Sequence, residues 1–233
     1  MTAILNQHEN YLQADQAYGF PLLIKNLLSR AKVVSGNKKI HYADKTSYTY
    51  HEFFKRVNRL ANVLKGLNLQ KGDVIAVMDW DTHRYLECYF AIPMCGYILQ
   101  TVNVRLSEDK VLYTINHAKP KALLLNSEFS PMIKSHTQDA PSVEHVIWLD
   151  DNNTPMPPYA QGEYEAMLAQ ASDEYEFEDF DENTIATTFY TSGTTGNPKG
   201  VFFSHRQIVL HTLVVAIGCA LNIEGQGLRY SDV

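Results

Sequence analysis

The stretch 74-VIAVMDWDTHRYLECYFAIPMCGYILQTV-102 holds two short apolar runs, 74–78 and 97–102, on either side of a segment near 82–95 with apolar residues at helical spacing. Runs rich in Val, Ile and Leu with little polar alternation suit strands covered on both faces, and a helix between two of them is the connection that parallel strands require. The rhythm continues downstream. Strands are expected at 122-ALLLN-126, 145-HVIWL-149 and 185-IATTFY-190, and helices near 107–117, 127–137 and 162–171. Ser107, followed by Glu108 and Asp109, opens the first of these helices as an N-cap with acids in its first turn. Alternation of this kind predicts an α/β fold, a layered and mostly parallel sheet flanked by helices.

Upstream, 21-PLLIKNLLSRA-31 reads as a helix with Pro21 in its first turn. The segment 39-KIHYADKTSYTY-50 alternates around Asp44-Lys45 as a hairpin, and Thr49 then caps a helix with Glu52 at capping-box spacing. Phe53, Val57, Leu60, Ala61 and Leu64 form the apolar face of that helix. Residues 150–162, rich in Pro, Asn and Asp, read as an exposed loop. The run 173-DEYEFEDFDE-182 carries seven acids in ten residues without ligand spacing, and is read as a solvated connection. The apolar stretch 208-IVLHTLVVAIGCAL-221 falls short of the ~20 residues that a membrane span needs and is expected to be a buried helix.

Composition sets outer bounds. The chain has 233 residues, 45% of them hydrophobic and 20% charged, with a formal net charge of −6, which weighs against a nucleic-acid binder. Cys88, Cys95 and Cys219 have no metal-ligand spacing and suit reduced thiols in a cytoplasmic setting. The first twenty residues lack the basic and apolar regions of a signal peptide.

One segment concentrates chemistry. In 190-YTSGTTGNPKG-200, Gly193, Gly196 and Gly200 let the backbone approach a ligand closely, and successive free N–H groups in such a turn form an anion-binding concavity. Thr191, Ser192, Thr194 and Thr195 add hydroxyl donors, and Lys199 adds a cation suited to phosphate. The loop is not a Walker A motif, because Lys199 lies between Pro198 and Gly200, and it is not a G-x-G-x-x-G fingerprint. On composition alone a ligand-free surface turn remains open. His205 reads equally as a phosphate contact or a structural residue. Trp80, Tyr85, Tyr89 and Phe90 read as core aromatics rather than an acyl tunnel, and Cys88 and Cys95 as buried thiols.

The segment YTSGTTGNPKGV resembles the signature phosphate loop of the AMP-forming, adenylate-forming enzymes, among them acyl-CoA synthetases, coumarate-type ligases, luciferases and peptide-synthetase adenylation domains. FPLLIKNLLSRA, TYHEFFKRVNRLANVLKGLNLQKGDVIAVM and FSHRQIVLH are similar to the same family, and NVRLS with YTINHA is most similar to its fatty-acyl-CoA ligase branch. The resemblance implies that a carboxylate attacks the α-phosphate of ATP to give acyl-AMP and pyrophosphate, and that the thiol of coenzyme A then displaces AMP. It implies that Thr191, Ser192, Gly193, Thr194, Thr195 and Gly196 line the phosphates and that Lys199 neutralises charge. Thr191 would also serve a Mg²⁺ site, and the carboxylate would be a fatty acid. The implied fold is a flavodoxin-like subdomain at 71–221. A polar segment at 1–19 would precede it, a helix–hairpin–helix piece at 20–70 would pack on a missing second layer, and 222–233 would be a truncated connection.

The adenine-binding and ribose-binding motifs of that family, and its carboxyl-terminal domain with a catalytic lysine, have no counterpart in the sequence. The expectation is therefore a catalytically incomplete fragment whose exposed apolar surface promotes homo-oligomers. The alternative is a non-enzymatic nucleotide-binding or self-associating module that keeps only the loop. A phosphotransferase is disfavoured, since no Walker B-like acid accompanies Lys199.

Overall fold

The structure, a computed structural model, describes residues 19–133, 136–191 and 196–223. Helix α1 (Ile24–Ser35), the antiparallel hairpin β1 (Lys39–Tyr42) and β2 (Thr46–Thr49), and helix α2 (Tyr50–Gly66) come first. There follow β3 (Val74–Met78), α3 (His83–Met94), β4 (Ile98–Thr101), α4 (Glu108–Ala118), β5 (Ala122–Asn126), α5 (His136–Asp139), β6 (His145–Leu149), β7 (Gly162–Glu163), α6 (Tyr164–Gln170), β8 (Ile185–Thr191), β9 (Lys199–Ser204) and α7 (His205–Ile223). The last seven strands form one sheet in the order β7-β6-β5-β3-β4-β8-β9. All its pairs are parallel except β8–β9. The mostly parallel α/β sheet expected from the strand–helix rhythm is present, with one antiparallel edge that the rhythm did not announce.

Strand alternation sorts the core into two faces. Ile75, Val77, Leu99, Ala122, Leu124, Ile147 and Leu149 face α1, α2, α3 and α6. Ala76, Met78, Leu123, Leu125, Val146 and Trp148 face α4, Phe129 and the chain around Val143. Fully burying a side chain of this size contributes about 1.5–3 kcal/mol, so the two-sided runs read from the sequence are the main stabilising feature of the sheet.

Several local expectations are corrected. Helix α1 begins at Ile24 rather than at Pro21, because Leu23 and Ile24 are drawn into the core. Pro21 instead offers its carbonyl to the Leu23 amide (2.9 Å) and to Asn26 Nδ2 (2.8 Å). The helix expected near 127–137 is divided into a 3₁₀ turn, Ser127–Met132, and α5, consistent with the missing donor at Pro131. Within the 20–70 segment, Phe53, Val57, Leu60, Ala61 and Leu64 form the buried face of α2, as read from the sequence, and pack with α3 and the strands.

The acidic run is a strap. Its aromatics, Tyr175 and Phe177, turn inward onto the α2 side of the core while alternate acids point outward. Lys25–Asp179, Lys55–Asp173, Lys71–Glu178 and Arg206–Glu182 pairs pin it along its length. Helix α7 differs most from expectation. Ile208 and Val209 reach the core, but Leu213, Val214, Val215 and Ile217 are exposed. Among the described residues no helix is long and apolar enough to cross a membrane.

Candidate nucleotide-phosphate site

Strand β3 lies between β4 and β5, so the connections leaving β3 and β4 diverge to opposite sides of it. In open α/β sheets the crevice outside the carboxyl ends of strands at such a reversal is where ligands bind. Asp79 follows β3 there. Its Oδ2 accepts from Thr82 Oγ1 (2.5 Å), and its Oδ1 accepts from Asn126 Nδ2 (2.6 Å) and the Trp80 amide (2.9 Å). Arg84 Nε lies 3.8 Å from Asp79, and Arg84 Nη1 pairs with Asp151 at 2.9 Å. Burial raises the Asp79 carboxyl from its ordinary value against these hydrogen bonds. The cluster ties the ends of β3 and β5 to the loop after β6 and sets a rigid floor. Sequence reasoning did not single it out; the only signal was an acid directly after an apolar strand.

The loop sits beside this edge. Strands β8 and β9 form a hairpin in which Tyr190 pairs with Gly200 and Thr191 with Lys199, so the loop leaves the carboxyl end of β8 and returns at Lys199. Thr191 and Lys199, expected as ligands, therefore flank its mouth side by side, and both are exposed. Thr191 Oγ1 donates to the Lys199 carbonyl at 3.5 Å. Among the described residues Lys199 has no carboxylate within ion-pair distance, which leaves its ammonium available to an anion. Gly196 has φ +96°, a conformation that L side chains rarely adopt, as expected of a glycine in this loop. Ser192, Gly193, Thr194 and Thr195 lie outside the described residues.

Beneath the mouth, Tyr190 Oη and His117 Nδ1 share a hydrogen bond of 2.8 Å, and Tyr113 stacks on His117. His205 turns away from phosphate. It is fully buried, its Nδ1 accepts from the Ile24 amide at 3.3 Å, and Phe180 meets its ring edge-on. Burial pushes its pKa down to about 4, as a structural imidazole requires. Tyr85 is buried and Phe90 packs edge-on against Phe53, whereas Trp80 and Tyr89 lie at the surface. Cys88 and Cys95 are buried, and burial pushes the Cys95 thiol up to about 12.

The sequence profile of the AMP-binding enzyme family matches residues 29–230. The chain belongs to that family. It is 33% identical over 211 residues to the medium-chain-fatty-acid–CoA ligase of Ectopseudomonas oleovorans, a match covering 88% of this chain and 39% of the ligase. It is 32% identical over 212 residues to the long-chain-fatty-acid–CoA ligase of Thermus thermophilus, covering 89% of this chain and 37% of that protein. The chain thus spans less than two fifths of the length of these AMP-binding relatives. The fold matches the anthranilate CoA ligase AuaEII, crystallised with anthranoyl-AMP, at a TM-score of 0.73 over 84% of this chain and 37% of that one, with 24% identity.

Proposed function

We propose that this chain provides the ATP-phosphate grip of an ATP-dependent carboxylate–CoA ligase that forms acyl-AMP and then acyl-CoA from a fatty acid. The observation that carries the reading is the Thr191–Lys199 pair at the mouth of a glycine-bearing hairpin loop, set at the carboxyl end of a parallel sheet. Fatty-acid–CoA ligases among the relatives and an acyl adenylate in a fold neighbour support the same chemistry.

A carboxylate oxygen of the substrate bonds to the α-phosphorus of ATP while the bond to pyrophosphate breaks. Charge then grows on the departing β- and γ-phosphates, and Lys199, with Thr191 and the backbone donors of the loop, stabilises it electrostatically. Ser192, Gly193, Thr194, Thr195 and Gly196 join that grip by likeness to the family. The sulfur of coenzyme A next bonds to the acyl carbon and AMP leaves. The donor set fits a Mg²⁺ ion only as one carried by the nucleotide, because among the described residues no group of three His, Cys, Asp or Glu converges. Such an ion would neutralise phosphate charge, with the Thr191 hydroxyl as a neutral ligand. A cytoplasmic location suits the free thiols of Cys88, Cys95 and Cys219.

Carboxylate-dependent ATP–pyrophosphate exchange across short to long fatty acids tests the reading. Exchange that disappears in Lys199→Ala supports it, and exchange indifferent to that change contradicts it. A second reading, a self-associating module, is favoured by one observation, the exposed apolar surface of α7. Absence of exchange and of any nucleotide binding would favour that alternative.

A further inference from the structure

Strand β8 carries a bulge: Ile185 opposes Ser204 and Thr187 opposes Phe203, so Ala186 is an extra residue on β8. A bulge of one residue reverses which face the following side chains meet. Ala186 joins the core on the α1–α3 side, and Thr187 lines the cavity on that same side with Ile24 and Phe90. Beyond the bulge, Tyr190 reaches α4 on the opposite face, where its hydroxyl lies 2.8 Å from His117 Nδ1 and its ring stands at 89° to the imidazole. Tyr113 stacks behind that imidazole at 5.7 Å and 27°. Across the hairpin the paired residue is Gly200, where an added Cβ would lie 3.4 Å from the Tyr190 ring. The ring of Tyr190 is thus held between a histidine and a residue without a side chain, one position before Thr191.

We propose that His117 is a positioning residue for the Thr191–Lys199 pair: through Tyr190 it fixes the roll of the β8–β9 hairpin and so the direction in which Thr191 and Lys199 face at the loop mouth. The inference rests on the reading of that loop as the ATP-phosphate grip. Without the hydrogen bond the hairpin, which is the edge of the sheet among the described residues, keeps its ladder but gains freedom to twist about β8. Thr191 and Lys199 then lose the fixed orientation in which they meet a polyphosphate, and binding has to restore it. His117 touches no substrate in this scheme; it acts through Tyr190 alone.

Titration calorimetry of this chain with Mg-ATP and with inorganic pyrophosphate tests the arrangement, using His117→Ala, Tyr190→Phe, their double variant, His117→Asn and Lys199→Ala. One hydrogen bond of this kind corresponds to a roughly three- to tenfold weaker Kd. That loss is expected in His117→Ala and in Tyr190→Phe alike, with no further loss in the double variant. His117→Asn, whose amide oxygen and nitrogen can take the place of Nδ1 in either role, is expected to restore affinity, and the thermal midpoints of all four should stay close to that of the parent chain. Independent, additive losses, or unchanged affinity in both single variants while Lys199→Ala binds weakly, would overturn the proposal and leave the phosphate grip standing. Binding that is absent, or indifferent to Lys199→Ala, overturns the grip itself and this inference with it.

Discussion

Arg56 of α2 and Glu87 of α3 form a two-pronged ion pair in the core, with Nε 2.7 Å from Oε1 and Nη2 3.2 Å from Oε2. Glu87 is fully buried and also accepts from the hydroxyls of Tyr48 (2.8 Å) and Tyr164 (2.6 Å). Arg56 Nη2 reaches Glu165 Oε1 at 2.8 Å, which in turn meets His83 Nε2 at 3.0 Å. One carboxylate thereby joins the β1–β2 hairpin, α2, α3 and α6. Breaking a buried pair from one side leaves an uncompensated charge and costs about 3–5 kcal/mol, whereas replacing both partners by apolar groups of similar shape is far milder. Glu87→Ala is therefore expected to lose about that much in urea unfolding, and Arg56→Met with Glu87→Met much less. Equal losses in the two would contradict this account.

Acid sensitivity follows from two groups with different windows. The His205 pKa is depressed to about 4 from 6.5, so the unfolded chain takes up a proton that the folded one refuses. Stability is full above pH 6.5 and falls by up to about 1.4 kcal/mol per pH unit down to pH 4. Glu165, held down to about 2 by His83 and Arg56 against the cost of its burial, adds stability that is present above pH 4.5 and is lost only as pH falls towards 2. His205→Asn keeps an acceptor for the Ile24 amide and removes the titration. Its stability profile should lack the His205 slope between pH 6.5 and 4.5, and an unaltered slope there would sink the assignment.

Gly196 isolates a backbone effect. An added Cβ meets nothing within 4 Å, so the cost of Gly196→Ala is conformational alone, about 1–2 kcal/mol for an L residue held at positive φ. Gly196→Asn should recover part of it, since Asn tolerates such angles better. Chemical denaturation read together with ATP affinity separates a loop that pays this strain from one that relaxes and binds more weakly. No change in either quantity would show that the positive φ is not required.

The exposed flank of α7 gives a prediction in solution. Leu213, Val214, Val215 and Ile217 stand 44–68% exposed, and a helix apolar all round is one that buries itself against something. The chain by itself is expected to associate with rising concentration in sedimentation velocity, and Val214→Glu with Ile217→Glu to shift it towards monomer. A monomer at all concentrations would contradict the expectation.

Much of this was legible in the residues. Two-sided apolar runs announce β3, β5 and β6 because a strand covered on both faces has no polar alternation to confuse its reading. The cap at Thr49, which accepts from the Glu52 amide, was equally local. Strand β9 was missed because Lys199–Ser204 is mostly exposed and lacks a two-sided apolar run, and its partner is known only once β8 has taken its place beside β4. The acidic run is the solvated connection expected, but its net charge hid the inward alternation of Tyr175 and Phe177.

The sequence by itself determined the parallel sheet and the glycine- and hydroxyl-rich character of the loop after β8. Both depend on neighbours in the chain, through periodicity, glycine conformations and one cation. Only the tertiary structure decided that the bulge at Ala186 turns Tyr190 towards His117, that His205 is a buried strut, and that Glu87 holds four elements together. Those roles arise through side-chain contacts between residues from 31 to 181 positions apart, and contacts over such separations are chosen by packing rather than by any local pattern.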